Sequence, residues 1–226
     1  MTRKILFIST TTHAAPESTS VAMMNAVADE MKRREPLADI RAINADNLHI
    51  VKNLSCYANG KKDCANPEAG PYRCWAHYES VQDPAKFGGV DQMPVIYDAL
   101  AWADVVVWGT STRWGSHSAL LQKIIERMNT LENRCTSYGE PNPLKGKRAG
   151  VVVAGLHWKT ASVALHLAEV FSWFGFRLSN ETLLWWQRSN NPCFEHPDSD
   201  KPYVERWLET PSAKEFVSSF VANLFC

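Results

Sequence analysis

A chain of 226 residues with 24 basic and 24 acidic side chains has no net charge, which argues against a partner held by electrostatics, such as nucleic acid or an anionic membrane. Its apolar fraction of 45% is that of a globular protein, and no run approaches the roughly 20 apolar residues of a membrane span. The composition fits neither a disordered chain nor a coiled coil.

The apolar run before Ser9 is shorter than the ~7–15 residues of a signal-peptide core, so a cytoplasmic protein is expected. Cysteines in that compartment stay mostly as thiols. Residues 4–9 (KILFIS) read as a first strand covered on both faces. A Thr/Ser/Pro-rich loop follows at 10–17, and Ser18, Thr19 and Ser20 are candidate N-caps for a helix reaching Arg34. Val21, Met24, Ala28 and Met31 place one apolar stripe of that helix against a sheet. Residues 38–43 (ADIRAI) alternate with charge, which predicts a second strand near a sheet edge.

Between 46 and 92 the periodicity dissolves into an irregular insertion holding Cys56, Cys64, Cys74 and several glycines and prolines. Residues 92–102 then predict a short helix and 105–109 a third strand. The clearest helix covers 118–131, with Leu121, Ile124, Ile125 and Met128 on one face and Gln122, Lys123, Glu126 and Arg127 opposite. Residues 148–154 form the fourth predicted strand, 160–174 a helix closed by Gly175, and 176–184 the fifth strand. The chain from Trp185 reads as irregular until a helix at 212–224.

Strands alternating with helices imply an α/β fold, a five-stranded parallel sheet with helices on both faces. There is no internal repeat or linker, so residues 1–226 are expected to form a single domain with an insertion (46–92) and a C-terminal extension (185–226). With strand order 2-1-3-4-5, the loops at 9–20, 110–116 and 155–159 meet at the topological switch point, where such sheets bind ligands.

These loops offer hydroxyls, exposed backbone and an indole, and neither an acid pair nor metal ligands. The run Val105-Val-Val-Trp108-Gly109-Thr110-Ser111-Thr112-Arg113-Trp114-Gly115 ends a buried strand in a loop suited to a flat polar cofactor. No G-x-G-x-x-G follows the first strand, which argues against a tightly held dinucleotide, and no G-x-x-x-x-G-K-[ST] occurs. The first loop has hydroxyls enough for a monophosphate at a helix N-terminus. A mononucleotide such as FMN meets that description.

The block 109–127 (GTSTRWGSHSALLQKIIER), with Asp104 before its strand, resembles the flavin loop and following helix of the NADPH-dependent FMN reductase family, of flavodoxin-like fold. The resemblance covers roughly residues 4–176. It implies a three-layer flavodoxin-like sandwich and an FMN-dependent oxidoreductase that accepts hydride from NAD(P)H. The acceptor would be a quinone, a nitro or azo compound, or free flavin. It also implies that Thr10, Ser18, Thr19 and Ser20 hold the FMN phosphate. Thr110, Ser111, Thr112, Arg113, Trp114 and Gly115 would line the ring, with Gly155, His157 and Trp158 at its far edge. Ser111 stands where the family commonly has proline and Arg113 where it has an aromatic residue; an arginine there can stack on a flat π-system or pair with an anion. No acid–base residue is expected, because the cofactor carries the chemistry. Relatives are often dimers or tetramers, so a homo-oligomer acting on a small-molecule acceptor, without nucleic acid or membrane, is expected.

Two other readings are open. One is a flavodoxin-like electron carrier. The other is a metal-binding or redox-sensing module using Cys56, Cys64 and Cys74, with His77 nearby. Seven residues separate the first cysteine pair and nine the second, without the close spacing of a zinc or iron–sulfur site, and no metal is expected. The insertion's Tyr72, Trp75 and Tyr78 suggest a lid or dimer contact over the ring.

Overall fold

A computed structural model describes residues 2–11, 18–56, 64, 74–156, 158–188 and 201–226, the first three of the last segment in backbone only. Five strands, β1 (Lys4–Ser9), β2 (Asp39–Asn44), β3 (Val105–Ser111), β4 (Arg148–Gly155) and β5 (Leu183–Gln187), form one sheet in the order β2-β1-β3-β4-β5. Every pairing is parallel. The helices are α1 (Thr19–Arg34), α2 (Trp75–Gln82), α3 (Pro84–Phe87), α4 (Met93–Trp102), α5 (Ala119–Tyr138), α6 (Thr160–Trp173), α7 (Lys201–Leu208) and α8 (Pro211–Phe225).

Strand alternation divides the core in two. Leu6, Ile8, Val106, Trp108, Val151 and Val153 face one side and pack with Ile96 and Leu100 of α4, Leu121, Ile124 and Met128 of α5, and Leu167 and Phe171 of α6. Their neighbours Ile5, Phe7, Val105, Val107, Val152 and Leu184 face the other side, against Met23, Val27 and Met31 of α1 and Phe220, Val221 and Leu224 of α8. The central strands are therefore apolar on both faces, as parallel strands covered by helices require. The indole of Trp108 is fully buried and stacks on Phe171 with ring centroids 4.6 Å apart. Burying such side chains contributes roughly 1.5–3 kcal/mol each. The flavodoxin-like architecture expected from the sequence is the one observed.

Several boundaries differ. The fifth strand is LLWWQ rather than 176–184: Phe176 turns inward to meet Phe171 edge-on, and a 3-10 turn at Asn180–Thr182 precedes Leu183. Arg177 makes only an isolated bridge to Arg148. β3 continues through Thr110 and Ser111, because the backbone stays paired with β4 up to Ala154. α5 runs on to Tyr138, where Gly139 adopts φ 65° and closes the helix. The C-terminal segment holds α7 as well as the expected last helix.

The insertion is more regular than its sequence suggests, since α2 and α3 lie within it. His49 and Gln92 pin its ends, His49 N donating to Gln92 Oε1 and Gln92 N to His49 O, both at 2.7 Å. Arg127 of α5 is 2% exposed and pairs with buried Asp91, through Nη2–Oδ2 at 2.6 Å and Nη1–Oδ1 at 3.0 Å. It also donates to Val51 O (2.7 Å) and to Cys74 Sγ (3.2 Å). Burial disfavours its charge, yet Tyr97, Asp91 and Cys74 around it more than restore it, and its pKa is raised.

Candidate functional site

Three loops leave the carboxyl ends of β1, β3 and β4, and a hydroxyl network ties the first two to the start of α5. Thr10 Oγ1 donates to Gly109 O (3.0 Å), and Ser118 Oγ donates to Thr10 Oγ1 (3.1 Å). Ser118 N donates to Thr110 Oγ1 at 3.3 Å, while Ser118 Oγ caps α5 by accepting from Leu121 N at 3.2 Å. Thr10 and Thr110 are fully buried, so their hydroxyls fix where the loops start.

At the head of α1, Ser18 Oγ accepts from Val21 N (3.4 Å), donates to Thr11 Oγ1 (3.1 Å) and lies 3.1 Å from Ser20 Oγ. This first turn carries no acidic residue. The positive end of a 16-residue helix, capped by Ser18 and starting with Thr19 and Ser20, is electrostatically suited to an anion.

The β3–α5 loop is a tight hairpin turn. Arg113 and Ser116 exchange backbone hydrogen bonds at 2.7 and 2.9 Å, and the residues between them, Trp114 (φ 49°) and Gly115 (φ 79°), are both left-handed. Glycine suits that position; a tryptophan there is an outlier. The Trp114 indole is 96% exposed. Ser111 Oγ, at the end of β3, is buried with no partner among the described residues.

The β4–α6 loop closes against this turn. Thr112 N donates to Ala154 O (2.8 Å), and Thr112 Oγ1 to Thr160 Oγ1 (3.4 Å). A Cβ on Gly155 would stand 2.1 Å from Thr160 Oγ1 and 2.9 Å from Thr112 Oγ1, so only glycine lets the loops approach this closely. A Cβ on Gly115 would meet Lys159 Cδ at 3.1 Å and the Trp158 ring at 3.7 Å. Trp158 is half exposed, with Lys159 Nζ 5.0 Å from its ring centre. His157 lies outside the described residues. The structure thus gathers Thr10, Ser18, Thr19 and Ser20 at one end of the rim and residues 110–115, Gly155 and Trp158 at the other.

One residue beside the site escaped the sequence reading. His117 is 7% exposed, its Nε2 donates to Gln122 Oε1 (2.9 Å), and its ring stacks 6.0 Å from His166. Its Nδ1 has no partner among the described residues. The only sequence signal was its place just before the cap of α5. Burial lowers its pKa from 6.5, Gln122 opposes the shift and His166 adds to it. The imidazole therefore stays neutral to lower pH in the fold than in the unfolded chain, which takes up a proton as pH falls through about 6.5. Its contribution to stability is complete above about pH 6.5 and is lost as pH falls below that value. His117→Asn is expected to flatten the slope of stability against pH between about 7 and 5, read from urea midpoints.

Other regions offer less. A cavity of about 480 Å³ lies at the opposite, amino end of the sheet, lined by Arg3, Asp104, Lys147 and Arg148 among others. Three of its cations are engaged: Lys147 Nζ donates to Leu100 O, Ala101 O and Ala103 O, Arg148 to Leu224 O, and Arg3 pairs with Glu35. Among the described residues, no three His, Cys, Asp or Glu are grouped to hold a metal ion. Among the described residues, the ties of the insertion to α5 run from Glu126 to Thr130. They lie roughly 12–18 Å along the helix from Ser118, at 1.5 Å per residue. Tyr72 is outside the described residues, and Trp75 meets Tyr78 edge-on at 5.9 Å.

The donor set fits a phosphorylated planar heterocycle. The head of α1 could take a phosphate, the exposed indoles of Trp114 and Trp158 could meet a ring, and the Ser111 hydroxyl, unpartnered among the described residues, could take a polar edge.

Comparison with known proteins agrees. The model of the family described as NADPH-dependent FMN reductase matches residues 3–189. No curated protein matches significantly. Among solved structures, RosB with bound 8-demethyl-8-formylriboflavin-5'-phosphate aligns with a TM-score of 0.71 at 16% identity, over 98% of this chain and 77% of that one. An FMN-dependent NADH-azoreductase from Bacillus anthracis str. Ames Ancestor, in complex with FMN, gives 0.57 at 12% identity, over 98% and 99%. The apo form of an NADH:FMN oxidoreductase, EMOB, gives 0.55 at 16% identity, over 99% and 90%. These identities bear on the fold alone.

Proposed function

The chain belongs to the NADPH-dependent FMN reductase family, oxidoreductases that use FMN with NAD(P)H as electron donor, and we propose that it reduces a quinone, a nitro or azo compound, or free flavin. FMN, when bound, supplies the two-electron chemistry; the protein binds, orients and shields. In this reading Ser18, Thr19 and Ser20, with the first amides of α1 and the Thr10 turn, hold the phosphate. Thr110, Ser111, Thr112, Arg113, Trp114 and Gly115 line the ring, and Gly155, His157 and Trp158 close its far edge. No side chain is assigned an acid–base role.

The observation that carries the reading is the joining of three strand-end loops by the Thr10, Thr110 and Ser118 hydroxyls and by the Gly155 crossing. The azoreductase and NADH:FMN oxidoreductase among the structural neighbours support a small-molecule acceptor. We further propose a cytoplasmic homodimer or homotetramer of single-domain subunits. Leu165 and Trp173, 54% and 82% exposed on α6, are apolar surface that a second copy would cover. No described helix is long and apolar enough to cross a membrane.

The test is anaerobic addition of NADPH or NADH to the FMN-loaded protein, followed at the flavin absorption band. Bleaching within seconds, reversed by a quinone or azo dye, is the expected result. A flavin that neither nucleotide bleaches would point instead to an electron carrier.

A further inference from the structure

We propose that Arg113 and Lys159 read the 2'-phosphate of the nicotinamide dinucleotide and so select NADPH over NADH. The inference rests on the proposed reductase reading and names the residues that set its donor specificity. The whole chain balances 24 cations against 24 carboxylates, but the described residues of the rim do not. Across residues 9–11, 18–20, 109–118, 155–160 and 187–188, the described charged side chains are Arg113, Lys159 and Arg188, and there is no Asp or Glu. A neutral protein that concentrates cations at one place presents a local anion site.

Two of these cations stand on loops that touch at Gly115 and Lys159. Arg113 is the first residue of the hairpin turn, locked through both backbone groups to Ser116. Two residues on, Gly115 leaves the space in which the Lys159 stem lies. Lys159 is itself held at φ 60°, a left-handed conformation uncommon for a lysine. Both side chains are exposed, and among the described residues neither forms an ion pair; Lys159 has only its contact with the Trp158 ring.

The sequence left Arg113 two roles, stacking on a ring or pairing with an anion. Trp114 and Trp158 already supply aromatic faces on the same two loops, so Arg113 borders the ring through its backbone and its exposed guanidinium is left for an anion. A phosphate monoester carries about −1.5 to −2 charges near pH 7 and accepts a guanidinium fork in two parallel hydrogen bonds. NADH lacks this group, and an arginine is a known way to accommodate it.

The probes are adenosine 2',5'-bisphosphate and AMP, titrated calorimetrically into wild type, Arg113→Gln, Lys159→Gln and Arg113→Lys. Wild type is expected to favour the bisphosphate, and Arg113→Gln to reduce that preference about tenfold or more, as expected for losing charge-assisted hydrogen bonds. Lys159→Gln should cause a smaller loss, and Arg113→Lys should restore part of the preference, since the charge remains but the fork is gone. In turnover, the ratio of kcat/KM for NADPH to that for NADH should fall in the same order. Equal binding of the two probes by wild type, or a preference unchanged in both Gln variants, overturns the proposal. The calorimetry needs no bound flavin, so a protein that rejects FMN would sink the reductase reading while this test still decides the phosphate site.

Discussion

Arg127→Met is expected to destabilise the protein by about 3–5 kcal/mol, the cost of leaving one partner of a buried ion pair without the other. Asp91 would keep its bond from Val51 N (2.9 Å) but lose both guanidinium contacts, and Val51 O and Cys74 Sγ would each lose a donor. The ends of the insertion would still be pinned at His49 and Gln92. On α5 its middle would keep only the ties of Asn53 to Glu126 and Thr130 to Cys64 among those described, so proteolysis should begin within residues 46–92 before the sheet is cut. The double variant Arg127→Met, Asp91→Leu removes the stranded charge and should recover a substantial part of the loss. Urea unfolding of the two variants measures this. A single variant within 1 kcal/mol of wild type would show that the pair does not anchor the insertion.

The second large effect concerns the exposed indole. Trp114→Ala should raise the dissociation constant of FMN about 5- to 150-fold, as expected for losing one aromatic stacking partner worth ~1–3 kcal/mol. The stability of the FMN-free protein should hardly change, because the side chain is 96% exposed and packs on little. Trp114→Gly sharpens the comparison. It relieves a left-handed tryptophan at a cost in chain entropy, so FMN-free stability should stay level or rise by up to about 1 kcal/mol while FMN binding still weakens. Opposite signs for stability and affinity mark a residue kept for its ligand. Equal FMN affinity in wild type and both variants would remove Trp114 from the site.

The sheet was legible because its strands are nearly continuous apolar runs and its helices carry clear stripes. KILFIS and VVVWG can only be covered strands, and α5 shows its inner face in Leu121, Ile124 and Met128. Helix and strand ends were harder. Phe176 and Leu178 are apolar and look like strand, but one meets Phe171 and both precede the 3-10 turn that resets the chain. Trp185 and Trp186, read as the start of an irregular tail, belong to β5.

Arg127 shows what periodicity cannot reveal. It falls among polar residues of α5 and reads as solvent-facing, yet it is buried because Asp91, 36 positions away, arrives with the insertion. Pairing across such a separation leaves no local mark. The candidate site divides in the same way. Thr110 to Gly115 were visible as a hydroxyl-rich turn after a strand, whereas the burial of His117 and the Gly155 crossing depend on three loops meeting. The functions of Thr10 and Thr110 as ties between loops, rather than free hydroxyls, were likewise set by tertiary geometry.

Amide hydrogen exchange with and without FMN tests most directly whether these loops form one cofactor site. The account predicts added protection in residues 9–11, 18–21, 109–118 and 155–160, with the amino end of the sheet and the α5 seat of the insertion unchanged. Protection centred on the cavity beside Arg3 and Arg148, or none at all at saturating FMN, would contradict it.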